Sequence, residues 1–264
     1  MNRNSVVFKT CKFGHGVVLR GAFEIRKWFR VRGLESERYK KIQKYKGIHE
    51  GERCFIIATG PSLTIEDINK LKNEYTFGMN SMCKVFEQTG WETTYFGIQD
   101  FRVYRRLKAD ICNLKETELF VGDIVKNRGP IQTEWTLYPV NSLNHRYNMK
   151  KLTSDFSEDC YREVFDGYSI AYSLLQIAVY MGFKEIYLLG ADCNYRNQEK
   201  MHFIETGNTS APDTGDRIIY AYHKAKEFCD AHGVKIYNAT RGGMLEVFPR
   251  VDLDELFENE EESK

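Results

Sequence analysis

No Cys-x-x-Cys pair occurs in this chain, although it carries 7 cysteines among 264 residues. They stand apart, at Cys11, Cys54, Cys83, Cys112, Cys160, Cys193 and Cys229, and their number is odd. Structural zinc and disulfide frameworks need cysteines at close, paired spacing, so neither is expected, and the pattern fits a reducing compartment. No run of about 18 apolar residues is present, so no segment is expected to span a bilayer. The first 15 residues lack an apolar core followed by a small-residue cleavage site, which predicts a cytoplasmic protein. Missing too are Gly-x-x-x-x-Gly-Lys and Gly-x-Gly-x-x-Gly, the two common phosphate fingerprints. The remaining composition is ordinary for a globular protein, 42% apolar and 28% charged. It suits one large domain, or one domain with an appendage.

Acidic residues are scarce in one place only. The net charge is +1, yet residues 1–48 hold 13 Lys and Arg against 3 Asp and Glu, a local +10 that leaves −9 for the rest. Residues 1–50 therefore read as a basic N-terminal arm. Within it Ala22, Ile25, Phe29 and Val31 through Leu34 recur at helical spacing, with Arg26, Lys27, Arg30 and Arg32 between them. Phe23 and Trp28 add bulk. The expected arrangement is a solvated helix that packs its apolar stripe on the main domain. The alternative is peripheral contact with the anionic inner face of the cytoplasmic membrane, which a basic helix with Trp and Phe favours. Nucleic acid is not an expected partner, because no recognition motif is present and the rest of the chain is acidic. Nothing in the sequence indicates an oligomeric state.

From residue 51 short apolar runs alternate with helical patterns. The first run, Cys54 to Ala58, breaks at Thr59-Gly60-Pro61-Ser62. Further strands are expected at Tyr75–Met79, Thr94–Ile98, Leu119–Val121, Glu185–Leu189 and Val234–Tyr237. The segment Tyr168–Met181, apolar on most sides, reads as a buried helix. This alternation predicts an α/β fold, Rossmann-like, with a mostly parallel sheet and helices on both faces. Residues 51–255 would form a nucleotide-binding catalytic domain. Residues 126–160 would be an irregular excursion and possible lid, and residues 256–264 a frayed acidic tail.

Three strand ends deliver polar residues: Thr59-Gly60-Pro61-Ser62, Asn80, and Gln99-Asp100. In an open α/β sheet such tips share one rim, where ligands bind. Gly60 would let backbone approach a ligand, Pro61 fixes φ, and Ser62 or Thr64 can cap the next helix. An ordinary strand-to-helix turn has the same composition. Asp166-Gly167-Tyr168-Ser169 opens the buried helix, whose N-terminus favours phosphate, although Ser169 can equally be a cap. The longest loop follows Leu189 and carries Asp192, Tyr195, Lys200, His202, Glu205, Asp213 and Asp216. A structureless loop of about 25 residues in a compact domain is usually functional. His202 is suited to general-base work near neutral pH, and Asp192 could be a base, a metal ligand or a cap. Tyr195 could hydrogen-bond a departing phosphate.

Several blocks resemble one family. They are Phe55-Ile56-Ile57-Ala58-Thr59-Gly60-Pro61-Ser62-Leu63, Thr76-Phe77-Gly78-Met79-Asn80, the run from Met181 to Asp192, and Asn238-Ala239-Thr240-Arg241-Gly242-Gly243-Met244-Leu245-Glu246-Val247-Phe248. Together they resemble the MptE-like family, named after an archaeal 6-hydroxymethylpterin diphosphokinase, whose bacterial members cluster with cell-surface polysaccharide genes. The order of blocks is also similar to bacterial lipooligosaccharide sialyltransferases, which use a CMP-sugar and need no metal. Where those enzymes carry Gly-Asn-Gly-Pro-Ser-Leu, this chain has Ala58-Thr59-Gly60-Pro61-Ser62-Leu63. The likeness implies nucleotide binding by Thr59, Gly60, Pro61, Ser62, Asn80, Gln99, Asp100, Gly167, Tyr168, Ser169 and Tyr195. It implies His202 as the catalytic base with Asp192 behind it, although Thr206 stands where those enzymes have a second histidine. The expected activity is transfer of a sialic-acid-like or Kdo-like sugar from a CMP-sugar donor to a glycan or glycolipid acceptor, with no cofactor. The family's namesake implies an alternative, pyrophosphate transfer from ATP to a pterin alcohol, with Mg²⁺ held by Asp100, Asp192 and Asp216. A non-catalytic nucleotide-binding accessory protein of glycan assembly is the third reading.

Overall fold

A computed structural model describes residues 6–34, 37–126, 128–143, 152–195, 202–204 and 210–261. In chain order the elements are α1 (Val6–Val31), α2 (Glu37–Lys40), β1 (Arg53–Ile57), α3 (Ile65–Asn69), β2 (Thr76–Met79), α4 (Phe86–Thr89), β3 (Tyr95–Ile98), α5 (Phe101–Cys112) and β4 (Glu118–Gly122). They continue as α6 (Asp123–Lys126), β5 (Thr136–Tyr138), β6 (Val140–Asn141), β7 (Val164–Phe165), α7 (Ile170–Tyr180), β8 (Glu185–Leu189), α8 (Thr214–Ala231), β9 (Lys235–Asn238) and α9 (Leu253–Glu261).

Seven strands form one parallel sheet in the order β5-β4-β3-β2-β1-β8-β9, flanked by the helices. The apolar run that becomes β1 explains its central place. Cys54, Phe55, Ile56 and Ile57 are all fully buried, so both faces of the strand are covered, as parallel sheets require. From β1 the chain builds outward through β2 to β5, then returns to the other side of β1 to add β8 and β9. The reversal leaves a crevice at the carboxyl ends of β1 and β8, the topological switch point where such sheets bind ligands.

Helix α7 packs on β1, β2 and β3, and its buried polar groups are satisfied. Gln176 donates to Phe165 O at 2.7 Å and accepts from the N–H groups of Ser157 and Phe165 at 3.0 Å, tying the short β6–β7 ribbon to the helix. A buried amide left unpaired would cost about 1–3 kcal/mol, so this network holds the ribbon in one place.

Three expectations need correction. Residues 126–160 are not only an irregular excursion: they supply β5, the edge of the main sheet, and β6, and residues 144–151 lie outside the described set. Runs of two and three residues are too short to show a strand period. The tail is not frayed from residue 256, since α9 runs from Leu253 with Leu253 buried and Leu256 and Phe257 packed on the core. The i, i+3, i+4 spacing of those three residues makes the helix amphipathic despite its acidic composition. Finally, the apolar stripe of α1 does not pack on the main domain, because Val17, Val18, Ile25, Trp28, Phe29 and Val31 are exposed.

Candidate functional site

Above the switch point lies a cleft of about 630 Å³, the size range of small-molecule sites. The tips of β1, β2, β3 and β8 and the N-termini of α5, α7 and α8 all reach it. Of the residues singled out from sequence, it is lined by Thr59, Gly60, Pro61, Asn80, Gln99, Asp100, Tyr168, Ser169, Asp192, Tyr195 and His202. Ser62, Gly167 and Asp216 are not among the lining residues.

The wall between β1 and β8 is held by contacts within the protein. Gly60 N–H donates to Gly190 O at 2.8 Å, and the Ser62 hydroxyl donates to Asp192 Oδ2 at 2.8 Å. A Cβ on Gly60 would sit 1.9 Å from Asp192 Oδ2 and 2.3 Å from Gly190 O. The missing side chain of Gly60 therefore serves packing of the two strand tips. Ser62 positions Asp192, while Thr64 caps α3 by accepting from Asp67 N–H at 3.1 Å. Behind them Thr240 accepts from Ala191 N–H at 3.0 Å, and Met244 N–H donates to Asp192 O at 2.7 Å. The segment from Asn238 to Met244 thus braces the loop after β8. Its Gly243 has φ +76° and lies so close that a Cβ would meet Asp192 backbone at 2.7 Å.

His202 joins this wall. Thr59 Oγ1 lies 3.4 Å from His202 Nδ1, and Phe203 N–H donates to Thr59 O at 2.8 Å. The rings of Tyr195 and His202 are 6.5 Å apart. Burial pushes the Tyr195 phenol up to about 12, so it remains a hydrogen-bond donor at neutral pH. Burial also raises the Asp192 carboxyl above its ordinary value, against the lowering effect of the Ser62 hydrogen bonds.

The opposite wall is built by β3, α5 and α7. Gln99 Oε1 accepts from Ser173 Oγ at 2.8 Å and Tyr138 Oη at 3.1 Å. Asp100 caps α5, its carboxylate accepting from the N–H groups of Arg102 and Val103 at 2.6 and 3.2 Å. Ser169 caps α7 by accepting from Ala171 N–H at 3.2 Å. Gly167, at φ +47°, leaves room for Tyr172, whose ring a Cβ would meet at 2.1 Å. Sequence reasoning missed Arg102, Arg106 and Arg128, which also line the cleft. Three helix N-termini and three guanidinium groups at the cleft are features that favour an anion.

Backbone strain converges here too. Asn80, Tyr168 and Cys193 are the described non-glycine residues in the left-handed region, at φ 50°, 67° and 53°, and all three line the cleft. Each such residue costs on the order of 1–3 kcal/mol, and strain of this kind gathers at functional sites.

For the Mg²⁺ of the alternative reading, the donors do not fit. Asp100 is used as a cap, Asp192 takes the Ser62 hydroxyl, and Asp216 lies in the first turn of α8. Among the described residues no three His, Cys, Asp or Glu side chains group around a common point. Asp252-Leu253-Asp254 spells an Asp-x-Asp, but Asp254 pairs with Arg241 and Lys70 and neither aspartate lines the cleft.

Comparison with family models matches residues 33–198, more than half of the chain, to a family described as "6-hydroxymethylpterin diphosphokinase MptE-like". The chain belongs to the MptE-like family. The matched span runs from the later part of the arm into the loop after β8, so it carries most of the cleft but not His202 or the start of α8. Among solved structures, the MAf glycosyltransferase from Magnetospirillum magneticum AMB-1 has a similar fold, with a TM-score of 0.54 at 16% identity. The likeness covers 83% of this chain but 38% of that one. Comparison with curated proteins returns no match. Of the residues that the likeness to sialyltransferases assigned, Thr206 lies outside the described set, as do Lys200 and Glu205 from the same loop.

Proposed function

We propose that this MptE-like protein is a glycosyltransferase that moves a sialic-acid-like or Kdo-like sugar from a CMP-sugar to a bacterial surface-glycan acceptor. The observation that carries the reading is the convergence of three helix N-termini on one cleft that also holds His202. Such a cleft favours the phosphate of a nucleotide sugar before and after the sugar leaves it. In the transfer step His202 takes the proton of an acceptor hydroxyl as its oxygen bonds the sugar's anomeric carbon, with Asp192 as the second candidate base. The bond from that carbon to the CMP phosphate breaks, and the phosphate keeps the electron pair. The Tyr195 hydroxyl and the start of α7 stabilise its charge. The similarity in fold to a glycosyltransferase supports the transferase part of this reading.

The family description favours a second reading, transfer of pyrophosphate from ATP to a pterin alcohol. That chemistry uses Mg²⁺ held by carboxylates, for which Asp100, Asp192 and Asp216 are poorly disposed. Thermal melting separates the readings. CMP without divalent metal is expected to raise the melting temperature. A response confined to ATP with Mg²⁺ would transfer the assignment to the kinase, and no response to either would count against both catalytic readings.

A further inference from the structure

Helix α1 is attached to the body along one side near its C-terminal end. Arg30 is 2% exposed; its guanidinium donates to Arg162 O at 3.0 Å, and its own carbonyl accepts from Tyr161 Oη at 2.7 Å. Lys27 pairs with Glu163 at 3.1 Å, and the partly covered Leu19 and Phe23 lie on the same side. The side facing away carries Val17, Val18, Ile25, Trp28 and Phe29, at spacings of three, four, seven and eleven that keep them on one face. Val18 is 68% exposed, Ile25 58%, Trp28 48% and Phe29 43%. Among the described residues nothing lies within 4 Å of where a Gly21 Cβ would be, so the face is open at that point. Arg20 and Arg26 are exposed at its edges, and Arg32 stacks over the Trp28 ring at 3.9 Å.

We infer that this face of α1 docks on an anionic lipid bilayer, lying in the interface with its apolar side chains inserted. Among the described residues no helix is long and apolar enough to cross a membrane, so the helix lies along the surface. Charge selects the occupant. Residues 1–48 carry a net +10, which anionic headgroups neutralise and which a second copy of the same arm would oppose. A helix with one apolar face, basic flanks and Trp and Phe at its boundary has the composition that binds such surfaces. The attachment also links the helix to the cleft. Glu163, which holds Lys27, accepts from Asn141 Nδ2 at 2.8 Å, and Asn141 sits between the lining residues Val140 and Ser142. A membrane-held arm would therefore keep the cleft beside the surface where a lipid-linked acceptor resides. The docking itself does not depend on the nucleotide chemistry.

The test uses the full chain with vesicles of phosphatidylcholine alone and vesicles part-substituted with phosphatidylglycerol. The protein is expected to sediment with the second kind, less so as salt is raised, and Trp28 emission should shift to the blue. Trp28→Phe should remove that shift while binding persists. The double variant Ile25→Asp/Phe29→Asp should bind at least ~10-fold more weakly. Both side chains point outward, so its melting temperature and its response to CMP should match the parent's. Parent protein left in the supernatant with anionic vesicles would overturn the inference, as would a double variant that sediments like the parent. So would a parent dimer that the double variant converts to monomer, because the face would then be a contact between copies.

Discussion

The two walls of the cleft are built on different plans. The β1–β8 wall is closed on itself: Gly60 bonds Gly190, Ser62 and Met244 bond Asp192, Thr240 bonds Ala191, and there is no room for a Cβ at Gly60. The α5 wall is open, and exposed Arg102, Arg106 and Arg128 reach over it beside the capped start of a helix. A group that must hold a reacting atom in place needs the first kind of support, in which neighbours lock each rotamer. Electrostatic attraction tolerates the second, since a guanidinium acts over several ångströms without a fixed contact. Under the proposed transfer, bond-making would fall to the braced wall and capture of the anion to the open one.

Removing the candidate base tests that division most severely. His202→Ala is expected to lower turnover by roughly 10²–10⁴ while CMP affinity stays within about twofold, because the ring serves the proton and not the phosphate. Single-turnover rates and CMP titrations measured on the same protein check both halves. Retained turnover would move the role of base to Asp192 on the same wall.

Next in size is the open wall. Arg102→Ala should weaken donor binding by about tenfold, or ~1.4 kcal/mol, with turnover at saturation and the melting temperature near the parent's values. An equal fall in turnover at saturating donor would mean that the arginine acts in the transition state, and the two walls would no longer differ in kind.

How much of this was legible follows from the same physics. The near-continuous apolar runs of β1 and β8 fixed their central places, and the polar stretches where those runs stop do meet across the switch point, through Ser62 and Asp192. Asn80 and Tyr168 were flagged as polar tip and helix opening, but their left-handed backbones cannot be read from residue type. Arg102 and Arg106 were missed because an i, i+4 pair on an amphipathic helix looks the same on a solvated face as over a cleft. Gly60 was legible as a close approach, yet the group approached is Asp192 of the same chain. For α1 the sequence marked the stripe. Which side the body covers was decided by Lys27 and Arg30, whose partners Glu163 and Arg162 lie more than 130 residues away.

The smallest expected effect sharpens the contrast within the braced wall, between His202 and Asp192. Burial holds the Asp192 carboxyl above its ordinary value of 3.8, so the folded protein takes up this proton more readily than the unfolded chain. A group of that kind favours the fold fully below the unfolded value and loses that contribution as pH rises through the raised native value. Asparagine does not titrate, and its carbonyl can still accept the Ser62 hydroxyl. The melting temperature of Asp192→Asn relative to the parent should therefore be lowest near pH 4 and climb toward pH 7. A difference that stays flat across that range would mean that the carboxyl ionises alike in both states. Turnover read on the same variant separates the two roles. A value within about tenfold of the parent leaves the proton with His202, and a fall of 10² or more moves it to Asp192.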